Sequence, residues 1–181
     1  KEVFTMQVIE PHQELELKSN IPVLAEICDK TSSKVRSQYE DSPYPRWVQL
    51  GYPLAPVRIG DLFGEFELKF YNSSIADVEK PSILVAGCGT GQHSISTAVR
   101  YKNAEVLAVD LSLSSLSYAK RKSAELGIKN IKYAQADILD VQLLGKKFDI
   151  IESVGVLHHM DDPVAGWQSL VNCLNSGGLM L

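Results

Sequence analysis

Cysteine, methionine and tryptophan are all scarce in this chain, at three, three and two of 181 residues. The cysteines (28, 88, 173) are odd in number, widely spaced and without a Cys-x-x-Cys pair, which argues against a disulfide framework and fits reduced thiols in a cytoplasmic protein. No apolar run approaches the roughly 18 residues of a membrane helix, so no membrane span is expected. A basic excess is also missing. With a net charge of −4 and a pI near 5.6, the chain offers no phosphate-binding face, and no nucleic acid is expected as a partner. The nearest basic run, Lys120-Arg121-Lys122, reads as the solvated side of a helix. The N-terminus, Lys-Glu-Val-Phe-Thr-Met, has no secretory pattern and no initiator Met, so its start is expected to be cut. No internal repeat or low-complexity tract is visible.

What the chain does have is an ordinary soluble composition, 45% hydrophobic and 22% charged, enough at 20.0 kDa for one domain with a small N-terminal appendage. Its most informative segment is Ile83-Leu-Val-Ala-Gly-Cys-Gly-Thr-Gly91. A short apolar run predicts a buried parallel strand, and glycines at 87, 89 and 91 let the backbone turn tightly and approach a ligand before a helix begins. Asp110 ends the next apolar run, 19 residues beyond Gly91, where a carboxylate accepts from two ribose hydroxyls. The dinucleotide fingerprint needs a glycine at its sixth position, and counted from Gly87 that position is Gln92. A nicotinamide-dependent oxidoreductase is therefore disfavoured.

From residue 81 onward strands and helices alternate, predicting an α/β doubly wound, mostly parallel sheet. The expected order is strand Ser82–Ala86, helix from about Gln92 to Tyr101, strand Glu105–Leu111, then a helix Leu113–Leu126 capped by Ser112 and closed by Gly127. Strand Ile131–Ala136 follows, then a turn near Val141–Leu144 and strand Phe148–Ser153. A helix over Pro163–Leu174, with Trp167, Leu170, Val171 and Leu174 on its core face, is expected to stop at Gly177-Gly178, where Leu179 starts a fifth strand. The chain ends within that strand, which predicts a truncated sheet and self-association through an exposed edge. Residues 1–80 are expected to form a separate ordered cover over the 81–181 core. Leu15, Leu17, Val23, Leu24, Ile27 and Val35 suggest one or two helices, with Pro22 at a helix start. Tyr39–Trp47 and 51–64 are too rich in aromatics, prolines and glycines to read as a solvated linker. Tyr44, Arg46 and Trp47 either pin this segment to the core or close over a ligand.

Val85-Ala-Gly-Cys-Gly-Thr-Gly91, Asp110, Ala136-Asp137-Ile138 and Phe148-Asp-Ile-Ile-Glu-Ser-Val-Gly-Val-Leu-His-His159 resemble, in order and spacing, the successive motifs of class I S-adenosylmethionine-dependent methyltransferases. The likeness covers about residues 81–181. Tyr39–Trp47 is similar to stretches that precede such domains in some bacterial proteins carrying helical repeats. The resemblance implies a Rossmann-like fold and S-adenosylmethionine as cofactor. It places Gly87, Cys88, Gly89, Thr90 and Gly91 under the cofactor's amino-acid end, Asp110 on the ribose and Leu111 against the adenine. Asp137 would accept from the adenine amino group, the Ile138 amide would meet a ring nitrogen, and Glu152, Ser153 and Val154 would line the methionine portion. At Val85 the chain departs from the family, which often has an acid there that helps hold the cofactor's ammonium group.

Methyl transfer from a sulfonium is an in-line displacement, for which a protein mainly supplies alignment and a dry pocket. A nucleophile that must lose a proton needs a base, and Glu152, His158 and His159 are the candidates by position. Adjacent histidines are expected to point apart, so no metal site is expected. Asp137 also has a plain reading as the cap of the turn after its strand. Cys88 reads as a small loop residue rather than a nucleophile. The leading function is methyl transfer to an unknown small-molecule or protein acceptor; the alternative is a non-catalytic cofactor-binding module within a larger protein.

Overall fold

The computed structural model describes residues 2–51, 55–66 and 74–181. The helices are α1 (Glu2–Phe4), α2 (Glu10–Lys18), α3 (Lys30–Asp41), α4 (Ile59–Phe66), α5 (Gln92–Arg100), α6 (Leu113–Glu125) and α7 (Pro163–Val171). The strands are β1 (Ser82–Ala86), β2 (Glu105–Asp110), β3 (Ile131–Gln135), β4 (Phe148–Glu152) and β5 (Leu174–Met180). All pairings are parallel, in the order β3-β2-β1-β4-β5. The central strand β1 is apolar throughout because both its faces are covered: Ile83 and Val85 pack toward α5 and α6, and Leu84 and Ala86 toward α7 and the 3-10 turns Ile138–Leu144 and Leu157–His159. The strand order reverses between β1 and β4, which opens a crevice at their carboxyl ends.

The predicted alternation and Rossmann-like architecture hold from Ser82 to β4. Ser112 caps α6, its hydroxyl accepting from Ser115 N at 3.0 Å, and Gly127 follows the helix with φ +71°. The last crossover differs from expectation. α7 stops at Val171, and Phe148 N already bonds to Cys173 O at 2.8 Å, so the chain joins the sheet at Leu174. Gly177-Gly178 lies inside β5 rather than ending the helix. There the register jumps, with Phe148 opposite Leu174 and Ile150 opposite Leu179. A Cβ on Gly178 would stand 2.8 Å from Asp149 O, so only glycine lets the bulged backbone pass β4. Trp167 is 50% exposed and lies outside the core, while Leu170 is fully buried.

Of the expected cover, residues 52–54 and 67–73 lie outside the described residues. Pro22 does not start a helix. Residues 22–24 run beside β3, Pro22 O accepting from Gln135 N (2.8 Å) and Leu24 N donating to Gln135 O (2.9 Å). A proline serves there because an edge position needs no N–H. Val23, Leu24 and Ile27 thus belong to extended chain, and the helix after it begins with Asp29, whose carboxylate accepts from Ser32 N at 2.8 Å. Ile21, Trp47, Ile59 and Ile75 share one hydrophobic core with Ile83, Leu116 and Ala119.

Lys120-Arg121-Lys122 is corrected in the same way. Arg121 and Lys122 are 7% and 4% exposed, because α2 and the chain around Trp47 lie on that side of α6. Arg121 pairs with Glu10, Glu14 and Glu125 at 3.0 to 3.1 Å. Lys122 donates to Val48 O at 3.2 Å and sits over the Trp47 ring. No helix among the described residues is long and apolar enough to cross a membrane.

Candidate functional site

A cavity of about 380 Å³ opens at the carboxyl ends of β1, β2, β3 and β4. That is the size of a small-molecule site, and it stands where open α/β sheets bind ligands. Gly87, Cys88, Gly89 and Thr90 form one wall, Asp110 and Leu111 a second, and Asp137 and Ile138 a third. Val154, Gly155, Val156, His159 and Met160 close the β4 side. Gly91, Glu152, Ser153 and His158, also expected at the site, are not on the cavity wall.

The glycine loop owes its shape to two different demands. Gly91 adopts φ +87°, and a Cβ there would stand 2.5 Å from the Ala119 Cβ, so this glycine lets the loop lie against α6. Gly89 has φ +52° and nothing nearer than Tyr44 O at 4.0 Å, so its missing side chain keeps the cavity open where a ligand would approach the backbone. Gly89 N donates to Asp110 Oδ2 at 2.7 Å, and Ser112 N donates to Asp110 Oδ1 at 3.0 Å. Burial pushes the Asp110 carboxyl above its ordinary value, opposed by these donors and the Leu111 N–H. The carboxylate is held in one orientation, and each oxygen keeps a lone pair for a hydroxyl.

Asp137 caps the 3-10 turn, its Oδ1 accepting from Leu139 N at 3.0 Å, and the residue also borders the cavity. Cys88 is buried, and burial together with the nearby Asp110 charge pushes its thiol well above the ordinary value, which keeps it protonated. The histidines at 158 and 159 do not point apart. Their rings lie 4.0 Å centroid to centroid in the turn Leu157–His159, where tight winding brings neighbours together. His159 borders the cavity. Among the described residues no group of three His, Cys, Asp or Glu side chains is placed to hold a metal ion.

Glu152 is buried on the α5 side of the sheet, directly opposite Val85 in the β1–β4 register. Thr97 Oγ1 donates to its Oε2 at 2.5 Å, and His93 Nε2 lies 2.9 Å from the same oxygen. Burial alone would raise this carboxyl, but the hydrogen bonds from His93 and Thr97 hold it below its ordinary value, ionised. Ser153 follows the strand, and its buried Oγ has no hydrogen-bond partner among the described residues.

Sequence reasoning missed His93, which borders the cavity. The available signal was its place two residues after Gly91, with Thr97 four further on, so that both share one helix face. It also left open how Tyr44–Trp47 acts. Trp47 Nε1 donates to Thr90 O at 2.9 Å, Thr90 Oγ1 donates to Pro45 O at 2.5 Å, and Tyr118 OH donates to Trp47 O. The segment is pinned to the glycine loop, and in being pinned it places Tyr44 and Pro45 on the cavity wall. Arg46 serves the pinning, donating to Glu14 at 2.9 Å and stacking over Tyr118. α3 adds Thr31, Ser32, Val35 and Tyr39 to the wall, and Thr31 Oγ1 donates to Asp161 Oδ2 at 2.7 Å.

A family model described as "Methyltransferase domain" matches residues 83–178, over half of the chain. An uncharacterised protein of Synechococcus is 30% identical over 171 residues, covering 90% of this chain and 39% of that protein. The malonyl-[acyl-carrier protein] O-methyltransferase of Hamiltonella defensa is 35% identical over 105 residues, 58% of this chain and 38% of its own length. Among solved structures, PKMT2 from Rickettsia typhi in complex with AdoHcy superposes with a TM-score of 0.56 at 29% identity, over 76% of this chain and 26% of that one. The chain spans 24% to 47% of the length of the first curated relatives it matches. With the parallel sheet, the glycine loop and the acid closing β2, these likenesses carry the conclusion that the chain belongs to the class I S-adenosylmethionine-dependent methyltransferase family.

Proposed function

We propose that this chain binds S-adenosylmethionine in the cavity at the β1–β4 switch point and transfers its methyl group to a small-molecule or protein acceptor entering on the β4 side. The observation that carries the reading is Asp110: a carboxylate on the cavity wall, oriented by Gly89 N and Ser112 N and facing open space over Gly89. Asp110 receives the ribose hydroxyls, Leu111 and Ile138 flank the adenine, and Asp137 accepts from its amino group. The loop Gly87–Gly91 passes beneath the amino-acid end. When bound, the cofactor supplies an already activated methyl group on a sulfonium. The protein's share is alignment and exclusion of water, to which the Tyr44–Pro45 wall contributes. Among the expected bases, His159 borders the cavity, whereas Glu152 is committed to Thr97 and His93.

Calorimetry with S-adenosylhomocysteine and NAD tests the reading. Binding of the first and not the second is expected, and Asp110→Ala should weaken it by roughly tenfold or more, the worth of hydrogen bonds to a charged group. NAD binding in preference to S-adenosylhomocysteine, or an Asp110→Ala variant with undiminished affinity, would refute it.

A further inference from the structure

The lysines of this acidic chain are not spread evenly. At the amino ends of β1 to β4 and along the α6 side of β3, two concavities of about 450 and 590 Å³ adjoin one another. They share Lys129 and Lys132, and Lys120, Lys146 and Lys147 complete their rims. Glu105 is the one carboxylate among their described lining residues, and no arginine is there. The strands are five or six residues long at β1 to β4, which sets this face roughly 15–20 Å from the glycine loop.

These lysines differ from the cations of the α6 layer. Lys18, Arg46, Arg121 and Lys122 each meet a carboxylate. None of the five rim lysines has an ion-pair partner among the described residues. Lys120 and Lys147 donate only to the backbone carbonyls of Asn20 and Asn172, which leaves their charge uncompensated. A lysine on an edge strand blunts it against pairing, which accounts for Lys132 but not for Lys129, Lys146 and Lys147, which stand in loops. Charges of one sign gathered in this way repel one another, and the field they sum to attracts anionic groups.

Between the lysines the floors are apolar, with Val106 and Leu107 in one concavity and Ile128 and Ile131 in the other. The segments that supply Lys129 and Lys146 also expose Leu126 and Leu143. Phosphate recognition leans on arginine forks and, for single strands, on exposed aromatic platforms. This face has no arginine, and its aromatic residues, Tyr133 and Phe148, are buried. Its grooves accept apolar side chains instead, with lysine stems packing alongside and their charged heads free for carboxylates.

We propose that this face docks an acidic, amphipathic segment of a partner protein. Its apolar side chains sit in the two grooves, and its Asp or Glu residues pair with Lys129, Lys132, Lys146 and Lys147. Charge governs capture and orientation, and the apolar floor supplies the hold. The cavity at the carboxyl ends of the strands stays open when this face is occupied, so the docking surface and the cofactor reading stand or fall separately.

Fluorescence anisotropy with the 181-residue chain tests the proposal with three labelled probes of matched length: a peptide of Glu and Leu with Leu at helical spacing, polyglutamate, and a single-stranded oligonucleotide. The Glu/Leu peptide should bind, with polyglutamate weaker by roughly fivefold or more. Reversing three charges together, Lys129→Glu, Lys132→Glu and Lys146→Glu, should weaken the peptide roughly tenfold or more. Replacing the same three with Gln should give a smaller loss in the same direction, and its reading stands alone if the reversed variant does not fold. Raising salt from about 0.05 to 0.5 M should also weaken binding to the wild type. Absence of binding to the Glu/Leu peptide, equal affinity for polyglutamate, or undiminished affinity in the Gln variant would overturn the proposal. Tighter binding of the oligonucleotide than of the peptide would overturn it too, and would make this a nucleic-acid face.

Discussion

The two helices that flank the sheet on opposite faces, α6 and α7, meet their surroundings in opposite ways. α6 carries a basic run, yet Arg121 and Lys122 are buried beneath a second layer of chain. α7 carries an apolar residue, Trp167, on its outer side, and that residue is half in water. Side-chain chemistry alone would assign both the other way. The difference teaches that burial on a helix's outer face depends on whether a further layer is laid upon it. Over α6 the layer brings the partners that make burial of a cation tolerable: Glu10 and Glu14 for Arg121, and Val48 O with the Trp47 ring for Lys122. Aliphatic stems pack while the charged heads find acceptors.

Breaking the covered face at its centre should have the largest effect. Trp47→Ala removes a 7%-exposed indole, its bond to Thr90 O and the surface under Lys122, and should cost about 3–5 kcal/mol in urea denaturation. Next comes Arg121→Met, which keeps the stem but leaves Glu14 and Glu10 without their guanidinium; a loss of roughly 3 kcal/mol is expected, softened by Arg46. A variant as stable as wild type would mean that the second layer contributes nothing.

A smaller effect tests the electrostatics of the same layer through Glu40. Burial pushes this carboxyl up, but hydrogen bonds from Lys18, Ser114 N and Ser112 Oγ outweigh it and hold it below the ordinary value. A depressed folded-state value means stability that is complete above the ordinary carboxylate range and is lost as pH falls through the folded value. Unfolding midpoints followed from about pH 6 downward should therefore drop less steeply in Glu40→Gln than in wild type. The smallest effect belongs to the bare face. Trp167→Ser should cost under about 1 kcal/mol, because half of the ring never leaves water. A loss as large as that of Trp47→Ala would show α7 to be covered in solution.

Legibility in the sequence followed the range of the interactions involved. The glycine loop, Asp110 and the Ser112 cap depend on neighbours within a turn or on the end of an adjacent strand, and their spacing is printed in the chain. Asp137 was legible as a cap, and its place on the cavity wall follows from the same position at the end of β3. His93 was not, since its importance comes from Glu152, a residue of another strand brought to it by the β1–β4 register. The end of α7 was misjudged because Gly177-Gly178 looks like a helix stop, while in the sheet those glycines relieve a bulge against Asp149. Pro22 was misjudged because a proline marks a helix start and an edge position equally well.

What the amino-acid order by itself determined is the alternating α/β pattern from Ser82 to β4 and the turns at the ends of β1, β2 and β3 that line the cavity. Period, capping residues and glycine positions act over a few residues and carry their meaning locally. Only the tertiary structure decided which surfaces are covered, that Tyr44–Trp47 is fastened to the glycine loop, and that Glu152 stands behind His93. Those outcomes depend on which distant segments come to lie against each other, and burial, charge satisfaction and cavity shape are properties of that contact rather than of any one segment.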